Sequence, residues 1–348
     1  MIPRSDKTEY LYVFSGGGAG WIWQWDVYKQ CLAYGLKPAM VGGTSAGALT
    51  AMFAHRNLIS IGDQYMASAY DGSAGNVFGP ELARLENGKM IIDRNAVKKQ
   101  LLKGINAFDL IKLVTKKGQD KLLGQLRDNI MEVRSFMNNK PLLSAIKTTL
   151  AAPFESEIPF LFNTLDMITG QGVENAADQF DNVDELAYAI LASTNIPVFL
   201  PLVPGYKTKD GSYKQLADGG LRAGSPVSQM FERIDPRKNQ AIIVLNINRR
   251  EIATVSEVNS LVQVAGRSVQ IMLNEILLGD LAVTLERNKA AQRYGESEGY
   301  KYVPIYLCEA SHSRGVFDFS PESALEQKRV APTDFDNMFE IKDLKALR

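Results

Sequence analysis

The sequence is poor in cysteine and histidine, and its charges balance. Its 348 residues include two cysteines, Cys31 and Cys308, which lie far apart beside apolar neighbours. This usage is typical of buried thiols in a reducing compartment and excludes a disulfide-rich scaffold. Two histidines are too few for a histidine-rich metal site, so we expect no metal and no cofactor. Lys plus Arg equal Asp plus Glu at 39 each, so net charge does not predict a nucleic-acid partner.

Long apolar runs are lacking as well. No stretch reaches about 18 uninterrupted apolar residues, and Met1 to Tyr10 is polar, without the apolar run of a signal peptide. We therefore expect a cytoplasmic protein without a membrane-spanning segment. The composition, 45% hydrophobic and 22% charged, is that of an ordinary globular protein with a sizeable core.

Short apolar runs that end in glycine turns predict the N-terminal architecture. Tyr10 to Phe14 is a buried strand that leads into a glycine loop, and Trp21 to Tyr34 has the length of a helix. Ala39 to Val41 is a second strand, followed by a tight turn and the helix-prone segment Ala48 to His55. This alternation of strands and helices predicts an α/β fold with a parallel sheet. Further expected strands are Ile158–Ile168, Pro197–Val203, Tyr213–Leu216, Ala241–Ile247 and Tyr302–Leu307, with helices over Asp184–Ser193 and Thr254–Glu286.

The strand signals disappear between residues 59 and 150, where we expect an inserted helical cap. Within this segment, lysines at 98, 99, 103, 112, 116, 117 and 121 alternate with apolar residues. Such a basic and apolar surface could adsorb to anionic lipid as a peripheral membrane contact. The alternative is a helix face that is simply solvated.

Ser45 is the first candidate for a reacting group. Gly43-Thr44-Ser45-Ala46-Gly47 fits the pattern G-x-S-x-G, in which a serine lies at a sharp turn between a strand and a helix. Small residues at Gly43 and Gly47 let the strand and helix approach, and the helix N-terminus favours developing negative charge. Glycine-rich turns also bind phosphates, but neither turn here ends in the Gly-Lys-Ser/Thr of a P-loop. A dinucleotide-binding fingerprint is also incomplete, because Trp21 replaces its last glycine.

A base for Ser45 is harder to find, because histidine is the usual choice. His55 lies ten residues along the predicted helix, about 15 Å from Ser45. His312 lies in a poorly patterned tail with no supporting motif, so we expect both histidines to be structural or surface residues. A carboxylate is the remaining choice, and Asp218 ends a short apolar segment and precedes Gly219 and Gly220. An ordinary loop aspartate is the alternative for this residue.

Together these motifs resemble the patatin-like phospholipases, in the order in which that family has them. Gly16-Gly17-Gly18 is similar to its oxyanion loop, Gly43 to Gly47 to its nucleophile elbow, and Asp218-Gly219-Gly220 to its aspartate motif. The stretch from Ala192-Ser193 to Pro197 and Phe199 resembles a further family segment. Two positions depart from the pattern: Gly20-Trp21 replaces a basic residue and glycine, and Gly224 replaces an asparagine. Neither departure removes a reacting group.

The resemblance implies one three-layer α/β/α catalytic domain over residues 1–348, with a mostly parallel central sheet and a cap at 59–150. It implies a Ser45–Asp218 dyad, an oxyanion hole at Gly16, Gly17 and Gly18, and hydrolysis of phospholipid or other acyl-lipid esters through an acyl-enzyme. A patatin-like binding module without catalysis and an acyltransferase are the alternatives. The three tryptophans, Trp21, Trp23 and Trp25, form either an interfacial aromatic edge or part of the core, and we favour the core. The head group, the acyl position and the oligomeric state are not predicted.

Overall fold

A computed structural model describes most of the chain. The described residues are 2, 7–72, 74–75, 77–106, 115–154, 156–250, 254, 257–258, 261–295, 301–312, 315–343 and 345. All statements below concern this part of the chain. Residues 107–114 of the predicted cap, which include Lys112, lie outside the described residues.

A large mixed sheet forms the centre of the fold. Its parallel strands lie in the order β12, β11, β1, β2 and β7, and antiparallel strands complete it at both margins. The described strands are β1 Thr8–Phe14, β2 Pro38–Gly43, β3 Gly79–Pro80, β4 Ala83–Glu86, β5 Lys89–Ile92, β6 Met137–Asn138, β7 Phe160–Asp166, β8 Gly172–Ala176, β9 Val203–Lys207, β10 Ser212–Asp218, β11 Asn239–Asn246, β12 Ile305–Glu309 and β13 Phe339–Glu340.

Helices cover both faces of this sheet. The described α-helices are α1 Trp21–Ala33, α2 Ala46–His55, α3 Ile59–Ala69, α4 Arg94–Leu101, α5 Lys116–Met131, α6 Lys140–Leu150, α7 Val183–Ser193, α8 Val227–Glu232, α9 Leu261–Tyr294 and α10 Pro321–Asp336. The predicted α/β fold with a large, mostly parallel sheet between helices is therefore confirmed.

Alternation along the strands explains the two sides of the core. In β1, Tyr12 and Phe14 pack with the helices on one face, whereas Leu11 and Val13 pack on the other. Successive side chains of a strand point to opposite faces, so a strand buried on both faces is apolar at every position. The cluster on the first face takes in side chains of α1, α2, α7 and α10, and that on the second takes in side chains of α8 and α9.

The long helix α9 meets the length and composition expected of a membrane-spanning helix over Gln263–Tyr294. Four of its leucines are nevertheless buried, namely Leu273, Leu277, Leu281 and Leu285, and the last three pack in the core on the second face of the sheet. A buried leucine contributes about 1.5–3 kcal/mol to stability, so this stripe holds α9 on the sheet. The sequence predicted the helix over Thr254–Glu286, but Thr254 and Glu257 are not helical and the helix starts at Leu261.

Two further predictions of secondary structure need correction. Pro197–Val203 was expected to be a strand, but residues 197–202 form turns and irregular backbone, and β9 begins at Val203. The segment 59–150 was expected to be helical. It contains four described helices and also the short pairs β3–β6 and β4–β5. Its role as a cap stays a prediction.

Candidate active site

Ser45 occupies the sharp turn between β2 and α2. Its backbone has φ 58° and ψ −131°, a sparsely populated region that costs a non-glycine residue about 1–3 kcal/mol. A Cβ at Gly43 would lie 2.1 Å from the Gly47 carbonyl oxygen, and one at Gly47 would lie 2.1 Å from that of Phe14. Both glycines are therefore required for this approach of strand and helix. The strained turn holds the serine, 2% exposed, at the N-terminus of α2.

Asp218 is the last residue of β10, and it faces Ser45 because of an unusual strand arrangement. β2 runs parallel to β7 and ends with Gly43 opposite Phe162. β10 runs antiparallel to β7 and ends with Asp218 opposite Thr164. Because β8 pairs along β7 from Leu161 to Leu165, β2 and β10 share the opposite edge. The two strands therefore approach from opposite directions, and their ends meet beside β7.

The environment of Asp218 changes its acidity. The residue is 1% exposed, and burial raises the pKa of its carboxyl from 3.8 to about 7. Hydrogen bonds from the Ser45 hydroxyl and the Gly220 N–H lower this pKa and partly oppose the effect of burial. Gly220 donates to Oδ1 at 2.8 Å. An Asp218 side chain with this pKa exchanges a proton near neutral pH, as a general base must.

The contact between Ser45 and Asp218 is close but not ideally aligned. The serine influences the carboxyl as a hydrogen-bond donor, yet Oδ2 has no partner that meets ordinary distance and angle limits. Catalytic hydrogen bonds are often long or bent without substrate, and rotation of the serine hydroxyl can bring its proton to the carboxyl. The geometry thus brings together the two residues that the sequence selected.

Ser193 is a residue that sequence reasoning did not assign to the site. It ends α7, and its Oγ accepts a hydrogen bond from the Ser45 N–H at 3.2 Å. Two residues later, the Asn195 carbonyl accepts the Asp218 N–H at 2.9 Å. The end of α7 therefore contacts the backbone of both Ser45 and Asp218. The signal in the sequence is the Ala192-Ser193 pair, which belongs to the segment that resembles the family.

The glycine loop after β1 lies directly beside the serine. A Cβ at Gly16 would be 3.1 Å from the Ser45 Cβ, and one at Gly18, with φ 58°, would be 2.2 Å from the Val316 carbonyl oxygen. Asn248 donates from Nδ2 to the Gly16 carbonyl at 3.2 Å and so holds the loop to the segment after β11. Among the described residues, the N–H groups of Gly16, Gly17 and Gly18 have no hydrogen-bond acceptor. They are therefore available to an anionic oxygen.

A small apolar cavity of about 40 Å³ lies beside Ser45. Ser45 and Thr194 are the two polar residues of its lining among the described residues. The other lining residues are glycine or apolar: Gly18, Trp21, Ala46, Leu49, Val77, Phe78, Leu142, Ile196, Leu200, Val316, Phe317 and Phe319. Apolar lining of this kind is common where a protein binds an apolar group. The lining therefore favours an apolar group over a polar one beside the serine.

Neither histidine lines this cavity. His55 is buried at the end of α2, where its ring bonds to the Ile158 carbonyl and lies 3.0 Å from Glu157. Burial lowers the pKa of His55, consistent with a structural role. His312 has a buried Nε2 without a hydrogen-bond partner among the described atoms. Among the described residues, no three His, Cys, Asp or Glu side chains are grouped as a metal site would need.

The tryptophans belong to the core, as favoured. All three are 1% exposed, and Trp23 and Trp25 donate from Nε1 to Asp334 and Asp63 at 2.8 and 2.9 Å. The interfacial aromatic edge is therefore wrong. Trp21 instead forms part of the cavity wall.

Packing explains both departures from the family pattern. A Cβ at Gly20 would lie 1.9 Å from Ile247 Cγ2, so a basic side chain has no room there. A Cβ at Gly224 would lie 2.7 Å from the backbone nitrogen of Leu277 in α9, which leaves no room for asparagine. Ile247, next to the end of β11, and the backbone of α9 occupy the space that those side chains would need.

The fold and this site define a class of protein: an α/β protein whose serine, at a strand–turn–helix junction, faces a buried carboxylate beside an apolar cavity. The model of the patatin-like phospholipase family matches residues 12–231, more than half of the chain. The chain therefore belongs to the patatin-like phospholipase family, and the sequence resemblance is confirmed. Membership implies a lipid acyl hydrolase in general terms.

Comparison with solved structures finds a similar chain in VipD from Legionella pneumophila. It has 14% sequence identity and a TM-score of 0.41, over 99% of this chain and 67% of that chain. No curated protein sequence matches this chain.

Proposed function

We propose that this protein is a serine lipid acyl hydrolase that cleaves fatty-acyl esters through a Ser45–Asp218 dyad. The observation that carries the proposal is the contact between Ser45 and a buried carboxyl whose pKa is about 7. A carboxylate of ordinary acidity is a weak base at neutral pH, whereas one with a raised pKa accepts a proton more readily. The dyad therefore needs no histidine.

In the first half of the reaction, the Ser45 hydroxyl attacks the ester carbonyl carbon and Asp218 accepts its proton. The N–H groups of Gly17 and Gly18, with Gly16 in the same loop, stabilise the oxyanion of the tetrahedral intermediate. The intermediate collapses to an acyl-enzyme, and the proton on Asp218 passes to the leaving alkoxide. The alcohol or lysolipid then departs.

In the second half, Asp218 removes a proton from a water molecule that attacks the acyl-enzyme. The second tetrahedral intermediate releases the fatty acid and returns the proton to Ser45. The strained Ser45 backbone and the Ser193 contact keep the nucleophile oriented throughout. Because the cavity at Ser45 is apolar, it favours an acyl chain over a polar acyl group.

The test compares wild type and Ser45→Ala by fatty-acid release from mixed phospholipid vesicles and by hydrolysis of a soluble butyrate ester. We expect the variant to lose activity on both substrates by on the order of 10³-fold or more. A fluorophosphonate probe should label wild type and not the variant. Equal activity of the two proteins, after repurification, would contradict Ser45 as nucleophile.

A further inference from the structure

Three segments outside the catalytic site come together at the C-terminal ends of α4 and α5. Asn129 of α5 donates from Nδ2 to the carbonyls of Leu101 and Lys103, both at 2.8 Å. The chain then continues to Phe136, whose N–H donates to the Val198 carbonyl at 3.0 Å. The end of α4, the end of α5 and the segment around Val198 therefore share one surface.

This surface exposes large apolar side chains. Met131 is 80% exposed, Val198 61%, Ile130 55% and Leu102 42%. Single exposed apolar residues are ordinary, but a contiguous group of them marks an interaction site. We define the docking face as Lys99, Leu102, Ile130, Met131, Arg134 and Val198.

The segment that contributes α4 and α5 to this surface is rich in basic residues. Residues 94–134 contain ten Lys and Arg but four Asp and Glu, a formal charge of +6 in a chain whose net charge is zero. The rest of the chain carries a formal charge of −6. Lys99 and Arg134 line a groove that also contains Pro201 and Glu81. Lys103 and Glu132 line it too and are paired with each other at 2.7 Å, so Lys99 and Arg134 leave the groove with a net positive charge.

The docking face adjoins the catalytic cavity. Ile196 and Leu200 line the cavity at Ser45, whereas Val198 between them is exposed and has φ 75°. The backbone of Phe199 also holds the segment to the chain after α5, because its carbonyl accepts the Met137 N–H at 3.0 Å. One stretch of chain thus forms part of the cavity wall on one side and of the docking face on the other.

We propose that the docking face binds the surface of an anionic phospholipid membrane and so places the cavity at its lipid substrate. The second part of this proposal, that membrane binding places the cavity at its substrate, rests on the proposed hydrolase function. Apolar side chains that enter the interface, surrounded by Lys and Arg that meet anionic head groups, are the two components of peripheral membrane binding. A second copy of the chain is a less favourable binding partner than a membrane, because contact between two such faces would bring like charges together.

Binding is measured with the catalytically silent Ser45→Ala protein, so that lipid is not consumed. We expect it to sediment with phosphatidylcholine vesicles that contain about 30% phosphatidylglycerol and much less with phosphatidylcholine alone. Raising NaCl from about 0.05 M to about 0.5 M should release most of the bound protein, because salt screens the charges. Adding Ile130→Glu/Met131→Glu or Lys99→Glu/Arg134→Glu should reduce binding by about fivefold or more.

The matched control is Leu325→Glu, which puts a charge at an apolar residue of α10 that is 69% exposed. It should leave vesicle binding within about twofold of the parent protein, because it lies outside the docking face. Equal binding by parent and docking-face variants, or an equal loss in the control, would overturn the proposal. A dimer that the docking-face variants dissociate, without effect on vesicle binding, would assign the face to a second copy instead.

Activity separates this proposal from the proposed function. With Ser45 restored, Ile130→Glu/Met131→Glu should lower fatty-acid release from anionic vesicles by about fivefold or more and leave hydrolysis of the soluble butyrate ester within about twofold. An equal loss on both substrates would contradict a docking role. Failure of wild type to cleave either ester would refute the hydrolase function, while the sedimentation experiment would still decide whether the face binds membranes.

Discussion

Ser45 and Asp218 meet because β2 and β10 end head to head along one edge of β7. Gly43 lies opposite Phe162 and Asp218 opposite Thr164, so the turn after β2 and the end of β10 are next to each other. The carboxyl is buried in this junction, and burial raises its pKa to about 7. The same arrangement that joins the two strands thus supplies both the position and the acidity of the base.

Asp218→Asn should abolish ester hydrolysis while preserving the fold. The amide is nearly the same size but cannot accept the serine proton, so we expect a loss of about 10³-fold or more in kcat/KM. The measurement is hydrolysis of the soluble butyrate ester, with circular dichroism to confirm folding. Asp181→Asn, at an exposed loop aspartate, is the control and should retain full activity. A folded, active Asp218→Asn protein would rule out the dyad.

The pH dependence of activity should report the Asp218 pKa. The dyad needs the carboxylate form, so kcat/KM should rise with pH through about 7 and level above it. Below pH 7 the rate should fall about tenfold for each pH unit, because the fraction of carboxylate falls in that proportion. A profile that is flat from pH 5 to about 8 would show that the group does not titrate as the base.

Stability should depend on pH with a sign set by the same residue. The pKa of Asp218 is about 7 in the folded protein and 3.8 in the reference state, so its contribution to stability is full below pH 3.8. This contribution is lost as the pH rises to about 7, because the Asp218 carboxyl ionises at a lower pH in the unfolded chain than in the folded protein. The Asp218→Asn protein has no carboxyl at this position and so does not lose this stability as the pH rises. The difference between its melting temperature and that of wild type should therefore increase by about 2 °C or more from pH 5 to pH 8. A difference that is independent of pH would contradict the buried, raised-pKa carboxyl.

Gly47→Ala should destabilise the protein, because the new methyl group would overlap the Phe14 carbonyl. We expect a loss of about 1–3 kcal/mol or more in the free energy of unfolding, measured with denaturant. Gly279→Ala in α9 is the matched change, since nothing lies within 4 Å of its Cβ position. It should stabilise the helix by about 0.5–1 kcal/mol. Equal effects at the two glycines would refute the close strand–helix approach.

Leu142→Trp should shorten the acyl chain that the enzyme accepts. Leu142 lines the cavity and is 2% exposed, so the larger indole ring would occupy apolar space beside Ser45 that the acyl chain would use. We expect kcat/KM for a palmitate ester to fall by about tenfold or more relative to that for a butyrate ester. Leu143→Trp changes the next, partly buried residue, which does not line the cavity, and should leave the ratio unchanged. A parallel loss for both esters would indicate misfolding rather than a shorter cavity.

The local sequence determined most of the elements. Tyr10–Phe14 and Ala241–Ile247 are apolar at successive positions because these strands are buried on both faces of the sheet. The G-x-S-x-G spacing predicted the turn at Ser45, since only glycine tolerates the backbone approach found at Gly43 and Gly47. The scarcity of histidine favoured a carboxylate, Asp218, as the base. These inferences rest on neighbours in the chain, where sequence patterns are informative.

Features that depend on distant contacts were missed or misassigned. The apolar run Pro197–Val203 resembled a strand, but Ile196 and Leu200 are apolar because they line the cavity, and the segment pairs with the chain after α5. The Ser193 contact could not be predicted, because α7 reaches Ser45 only through the packing of helices on the sheet. The exposure of Ile130 and Met131 likewise depends on what the rest of the chain leaves uncovered.

By itself, the sequence determined the α/β alternation, the strained serine turn and the candidate aspartate, because each is encoded within a few consecutive residues. Only the tertiary structure decided that β10 meets β2 beside β7, that Asp218 is buried enough to titrate near neutral pH, and that an apolar cavity opens at Ser45. The physical reason is that desolvation and cavity shape are produced by atoms from many separate segments, so no local pattern carries them.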